Sequence, residues 1–365
     1  MMKRQWTKEE AFEWFNSRPW ICGFNYTAAN CVNRMEMWQE FEHDQKVPVF
    51  ERELKMASEH GFNSVRVVLP FECWYYQHDG FMARLEEFIG ICAKNGLGVM
   101  IVFGNDCTVP KDLYVAPAFG PQKVDWGYHG GMAKSPHAVK TEAGYSILDE
   151  PELCDAFCEM VRDIVGAHAS DPRIDAWDIF NEIGNGRREM RSVPAMERFF
   201  EAARAADPIQ PLTACVWTVD PAKDDPLKPW ERRALELSDV ISYHDYRRYD
   251  YSVQLIDYLK SFGRPLLNTE WLHRIQGNTV QTHLPLFWLE HVGCYNWGFV
   301  AGKSQTYEPW EANWTRYYNG TQPNLDFTKW QHDLFRPNLR PYDPKEIDLF
   351  EKYIGLARKK FVTNK

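Results

Sequence analysis

Two glutamates end two apolar runs. Asn181-Glu182 follows Ile174-Asp175-Ala176-Trp177-Asp178-Ile179-Phe180, and Glu270 follows Pro265-Leu266-Leu267-Asn268-Thr269. Each glutamate marks a place where a buried strand would run out into a loop. A carboxylate there is costly unless it is paired or used. Two carboxylates at the ends of two parallel strands can split a glycosidic bond, one as proton donor and the other as nucleophile.

That chemistry needs strands that are parallel and whose ends meet. Strand-like runs cover 20–25, 64–70, 98–104, 174–180, 211–218, 240–244, 265–270 and 294–300. Amphipathic helical patterns lie at about 47–60, 81–95, 151–168, 194–206, 228–237, 250–262, 280–291 and 344–360. Strict alternation implies parallel strands, because each return to the sheet needs a crossover. The eightfold count predicts a closed (β/α)8 barrel. One catalytic domain is expected over 1–365, with a short N-terminal helix at 8–16 and the barrel over about 20–360. The alternative is an open doubly wound sheet. It usually carries a glycine-rich turn after its first strand, and Gly23-Phe24-Asn25-Tyr26 is not one. Gly61, Gly96, Gly263 and Gly293 each close a helical stretch as a C-cap glycine would. Long connections follow the third strand, about 105–150, and the eighth, about 302–343. On a barrel both lie on the catalytic face.

Composition narrows the class. The 365 residues are 44% hydrophobic and 25% charged, with a net charge of −9. Lys and Arg are scattered, which argues against a nucleic-acid partner, and no apolar stretch is long enough to cross a membrane. The nine cysteines are an odd number without a Cys-x-x-Cys pair. Cys22, Cys215 and Cys294 sit in apolar runs as small hydrophobes. A reduced, cytoplasmic protein is expected. The basic start Met1-Met2-Lys3-Arg4 lacks the apolar region of a signal peptide. Thr7 and Glu10 read instead as a capping box.

Polar residues gather at the strand ends. Arg66 lies on the second strand, Asn105-Asp106 end the third, Trp217 lies on the fifth, Tyr243-His244-Asp245-Tyr246 end the sixth, and Trp297 lies on the eighth. With these residues in place the chain resembles the retaining glycoside hydrolases of clan A, most closely family 5 and its near relatives, from Gly23 to about residue 355. The resemblance implies that Glu182 is the general acid/base and Glu270 the nucleophile. It implies that Asn181 bonds the sugar 2-hydroxyl and that Arg66 holds the nucleophile. His244 and Tyr246 match a His-x-Tyr on the sixth strand, and Trp297 the tryptophan floor of the −1 subsite. The chain departs from the family where Ile183 replaces a proline, where Trp271-Leu272-His273 follows the nucleophile, and where Asn105-Asp106 replaces a third-strand histidine.

Further substrate contacts are expected from Trp217, from Glu36 and Trp38 after the first strand, from Asp106 and His137 in the third loop, and from Lys303 and Gln305 after the eighth strand. Trp310, Trp314, Tyr317 and Tyr318 could line outer subsites or pack the loop. Each of these residues also has a plain structural reading: Arg66 as partner of a helix acid, His244 as a satisfied core histidine, Trp297 as core.

Retaining hydrolysis needs two carboxyl groups about 5 Å apart, one protonated and one charged. Glu270 should be kept ionised by Arg66 and a tyrosine such as Tyr243, and Glu182 should be raised by its negative neighbour. No cofactor or metal is expected, and the partner is an oligosaccharide or glycoside. The two long loops would wall the cleft into a pocket, which favours exo-action or short oligosaccharides. The alternatives are an endo-acting mannanase, glucanase or xylanase, and a catalytically silent carbohydrate-binding barrel. A phosphate-binding barrel has only Gly302-Lys303-Ser304 in its support.

Overall fold

The computed structural model describes residues 4–136 and 142–361. His137 therefore lies outside the described residues. The elements run α1 (Lys8–Asn16), β1 (Cys22–Asn25), α2 (Arg34–Trp38), α3 (His43–Glu59), β2 (Ser64–Val68), α4 (Phe71–Tyr76), α5 (His78–Lys94) and β3 (Gly98–Asn105). They continue with α6 (Pro151–Ala167), β4 (Ile174–Asn181), α7 (Val193–Ala205), β5 (Leu212–Ala214), α8 (Pro229–Leu237), β6 (Ile241–His244) and α9 (Tyr249–Lys260). The last are β7 (Leu266–Trp271), α10 (Val280–Glu290), β8 (Gly293–Asn296), α11 (Glu311–Tyr318) and α12 (Pro344–Lys360).

All strand pairs are parallel, in the order β5-β4-β3-β2-β1-β8-β7-β6. β1 pairs with both β2 and β8, so the first and last strands are neighbours. Val216 bridges the seam between β5 and β6: its N–H donates to the Ser242 carbonyl at 3.1 Å, and its carbonyl accepts from the His244 N–H at 2.9 Å. The eight strands thus form the (β/α)8 barrel expected from the alternation. α1 opens on the Thr7–Glu10 capping box. Its Ala11, Trp14 and Phe15 pack with Ile21, Val240 and Leu267 where the strands begin.

Three details differ from the sequence reading. β5 holds three residues rather than a run over 211–218. The backbone N–H groups of Trp217 and Thr218 donate to the Glu231 carboxylate instead of to a neighbouring strand. Gly61, Gly96 and Gly263 do take the left-handed conformation of a C-cap, but Gly293 does not. His291 occupies that conformation after α10, and Gly293 lies inside β8, where a Cβ would meet Leu267 at 2.5 Å. Finally, the loop after β8 contains α11, whose Trp314 stacks on Phe327 at 3.9 Å.

Among its described residues, the loop after β3 holds only short 3-10 turns, yet it is well anchored. Gly120 exchanges two hydrogen bonds with the Gln39 amide at 2.7 and 2.8 Å, and the Asn33 amide donates to Gln122 at 3.3 Å. Further on, Gly127 N–H donates to the Gln305 amide oxygen at 2.6 Å, and the Gln305 amide donates to the Asp125 carbonyl at 3.1 Å. The Trp310 indole donates to His129 at 3.1 Å. The loop is therefore a strap that ties the loops after β1 and β8 together over one side of the barrel mouth.

Candidate active site

The barrel interior beneath the mouth is polar, and Arg66 organises it. A buried guanidinium is tolerable only if its hydrogen-bonding capacity is met. Arg66 meets all five of its N–H groups. Nε and Nη2 donate to Asp178 at 3.1 and 2.8 Å, Nη1 donates to Asn25 at 2.7 Å and Glu270 at 2.9 Å, and Nη2 also donates to Asn181 at 2.6 Å. β1, β2, β4 and β7 are thereby fixed to one another at their C-terminal ends. The Asn181 amide nitrogen donates to Asn105 at 3.0 Å, which adds β3.

Glu182 leaves β4 in a left-handed backbone conformation, with φ of 47°. Such a conformation costs a non-glycine residue about 1 kcal/mol and is concentrated at functional sites. Its N–H donates to the Cys215 sulfur at 2.9 Å. Its carboxylate accepts from His244 Nδ1 at 2.8 Å on one oxygen and from Asn185 and the Cys107 thiol, the latter at 3.0 Å, on the other. Glu270 accepts from Arg66 and from the Tyr246 hydroxyl at 2.8 Å, and its Oε2 lies 3.4 Å from His244 Nδ1. The tyrosine donor is thus Tyr246; Tyr243, expected in that role, points its ring into the core. Ligating atoms of Glu182, His244 and Glu270 fall within 4.8 Å of one another, so the two carboxylates are close neighbours.

The proton affinities of the pair are the reverse of the sequence expectation. Burial pushes the Glu182 carboxyl up, but the hydrogen bond and charge of His244, with the bonds from Cys107 and Asn185, outweigh it and hold the group at about 2. Burial raises Glu270 against the pull of His244 and Arg66, and the Glu182 carboxylate adds to the rise. The sequence reading counted the repulsion between the carboxylates and omitted the imidazole that bridges them.

Arg66, Asn181, His244 and Tyr246 all converge on the two glutamates. Trp297 is half-buried and lines a crevice with Asn25, Arg66 and Met37. Glu36 accepts from Lys303 Nζ at 3.0 Å, which joins the loops after β1 and β8. Three residues are elsewhere. Trp38 is fully buried in the core against Phe81 and Phe88, so its ring cannot meet a sugar. Asp106 is buried beneath the Glu182 turn, where it binds Arg188 at 3.0 Å, Ser192 at 2.7 Å and the Gly184 N–H at 2.7 Å. Gln305 is buried as an anchor of the strap. Trp310 meets Tyr246 edge-on at 5.1 Å, while Trp314, Tyr317 and Tyr318 gather around Phe327 and one another.

Among the described residues, the mouth is open on the β4–β5 side. A cleft there is lined by Asn185, Trp217, Thr218, Trp230, Ala312 and Asn319. The Trp217 indole donates to the Ile183 carbonyl at 3.1 Å, and Trp230 lies flat against Gly184, where a Cβ would meet its ring nitrogen at 2.5 Å. Both tryptophans are locked to the turn that carries Glu182.

Sequence reasoning missed Asn25, Asp178, Cys107 and Asn185 as partners of the central groups. Asp178 was legible in principle, since a carboxylate in the middle of a buried strand demands a buried cation. A metal could in principle be held by Glu182, His244 and Glu270, or by Glu86, His168 and Asp171. In the first group Arg66 and Tyr246 already occupy Glu270; in the second, Arg173 pairs with Glu86 at 2.7 Å and Asp171 at 2.6 Å. No described helix is long and apolar enough to cross a membrane.

The profile of the cellulase family (glycosyl hydrolase family 5) matches residues 36–333. No curated protein matches the sequence. Among solved structures, the chain is similar to a GH5_18 protein from Streptomyces cattleya in complex with Manβ1-4GlcNAc, at 14% identity, TM-score 0.59, 95% of this chain and 82% of that one. It is similar to an exo-β-1,4-mannosidase from Opitutaceae bacterium strain TAV5 at 15% identity and TM-score 0.58, covering 95% and 61% of the two chains. An endo-β-1,4-mannanase from Thermotoga petrophila aligns at 14% identity and TM-score 0.57 over 96% and 80%.

Proposed function

The chain belongs to glycosyl hydrolase family 5 and is a retaining O-glycosyl hydrolase, and we propose that it acts from the non-reducing end of short β-linked oligosaccharides, with Glu270 as nucleophile and Glu182 as acid/base. The observation that carries this reading is the unequal partnering of two neighbouring buried carboxylates. Glu270 is gripped by a guanidinium and a phenol, which aim it and favour its charged form against the burial that opposes it; Glu182 is held by a histidine, a thiol and an amide.

Glu270 attacks the anomeric carbon while Glu182 protonates the departing oxygen; Glu182 then takes a proton from water, whose oxygen releases the sugar from Glu270. For the first step Glu182 must carry a proton. His244 Nδ1 bridges the pair, 2.8 Å from Glu182 and 3.4 Å from Glu270. Sugar in the mouth excludes water, and that desolvation favours the protonated carboxyl of Glu182. Asn181 is oriented by Arg66 and Asn105 for a sugar hydroxyl, and Trp297 supplies an apolar face.

Exo-action is supported by the strap. β8 and β1 lie across the ring from β4 and β5, so the strap stands opposite the Glu182 turn, where the glycone must lie if Glu182 protonates the leaving group. A mouth closed there has room for few sugar units. The similarity to both an exo-mannosidase and an endo-mannanase makes β-mannosides the first substrates to assay.

A slow 2-deoxy-2-fluoro-β-glycoside with a dinitrophenolate leaving group tests the assignment. The glycosyl label is expected on the peptide containing Glu270. A label on the peptide containing Glu182, or steady turnover with no trapped intermediate, overturns it.

A further inference from the structure

We propose that Cys107 is a positioning residue for Glu182, its thiol steadying the carboxylate that Glu182 becomes as its proton leaves. This rests on the reading of Glu182 as acid/base. Eight of the nine cysteines are buried; Cys107 alone is partly open, at the mouth of the barrel. It stands two residues past the end of β3, where its N–H donates to the Asn105 side chain at 2.9 Å. That bond sets the turn that brings the sulfur 3.0 Å from Glu182 Oε2.

The direction of the S–H follows from its neighbours. The amides of Asn181 and Asn185 approach the sulfur as donors at 3.7 and 3.5 Å. With its lone pairs so engaged, the thiol hydrogen has the carboxylate as its partner. Asn185 donates to the same oxygen, so a backbone turn of β4 and the first turn after β3 grip Oε2 from two sides.

The other groups around Glu182 act elsewhere. His244 from β6 holds Oε1. Cys215, after β5, accepts the Glu182 N–H. Glu270 and Tyr246 bond each other and meet Glu182 through His244, and Arg66 donates to Asn181 and Glu270 rather than to Glu182. No histidine or cation among the described residues shares Oε2 with Cys107 and Asn185.

A thiol suits a carboxylate that must alternate between two protonation states. It is a weak donor, so it favours the charged form without making the protonated form inaccessible. The bond strengthens as the leaving oxygen takes the proton, which is stabilisation realised in the transition state rather than before it.

The test is the pH dependence of kcat/KM for the full chain on an aryl β-glycoside whose leaving phenol is weakly acidic, so that its departure needs the proton of Glu182. Loss of a donor to the charged form raises the proton affinity of Glu182, and the acid must be protonated to act, so the basic limb should move to higher pH. One donor is worth on the order of 1 kcal/mol, so Cys107→Ala is expected to move the limb up by about 0.5–1 pH unit. Cys107→Ser keeps a donor and should return the limb most of the way. A limb unmoved in Cys107→Ala, or rates that fall alike in both variants with no change of profile, overturns the proposal and assigns the thiol to packing. Glu182→Ala, assayed in parallel, separates the two layers. Full turnover in that variant removes Glu182 as acid/base and the Cys107 role with it. Loss of turnover there, with an unmoved Cys107→Ala limb, removes the Cys107 role alone.

Discussion

The two sides of the barrel mouth are built differently. On the β8–β1 side the strap is anchored at Gln39, Gln122 and Gln305, and the Glu36–Lys303 pair ties the loops beneath it. On the β4–β5 side the described residues leave a cleft floored by Trp217 and Trp230, both fixed to the Glu182 turn. The charged centre between them belongs equally to both sides. The difference teaches that the chemistry and the choice of substrate are carried by separate parts of the chain. Strand ends set the bond-breaking groups, and loops decide how much saccharide can lie on each side of them.

Substitutions can break or sharpen that contrast. The largest effect is expected at the shared centre. Glu270→Gln should lower turnover by at least about 10⁴-fold on every substrate, whichever side its length occupies. The same change should stabilise the fold at neutral pH. Burial raises the Glu270 carboxyl above its ordinary value, so its stabilising protonated form is present at low pH and is lost as pH rises through the folded value. The glutamine variant escapes that loss. Its melting temperature should exceed the parent's near neutrality and converge with it below the ordinary carboxyl range.

A smaller effect is expected from loosening the strap. Gln39→Ala with Gln305→Ala removes four anchoring hydrogen bonds of the strap. Internal cleavage of a β-linked pentasaccharide should then rise about tenfold relative to release of terminal sugar, read by chromatography of the products. An unchanged pattern would mean that the strap does not set the mode of attack.

The open side should respond in the opposite sense. Trp230→Ala removes a stacking face worth about 1 kcal/mol. kcat/KM on a tri- or tetrasaccharide should fall several-fold, while an aryl glycoside, with no sugar beyond the scissile bond, should change little. Equal losses on both would place Trp230 in the packing of the Glu182 turn and not in the cleft.

The sequence carried the barrel and its central groups because both rest on strong local signals. Eight apolar runs with capped helices between them leave few topologies; Glu182, Glu270 and His244 stand at strand ends and Arg66 stands within buried β2, where a charge needs a reason. What it did not carry depends on contacts between distant segments. Trp38 follows the first strand like a substrate contact, but α2 turns its ring into Phe81 and Phe88. Asp106 ends β3 like a site residue, yet its carboxylate is consumed by Arg188 and Ser192 from after β4. The order of proton affinities failed for the same reason: it turns on His244 lying between two carboxylates, a distance that no spacing encodes.

The contrast between the two sides is tested most directly by the first products of the unmodified protein. Pentasaccharides of β-1,4-mannan, glucan and xylan, labelled at the reducing end, would be digested briefly and separated by length. On whichever backbone is cleaved, the labelled chain is expected to shorten by one sugar at a time, with only unlabelled monosaccharide released and with its anomeric configuration retained. Labelled di- and trisaccharides appearing together from the start would mean attack within the chain, and would contradict a mouth closed on the β8–β1 side.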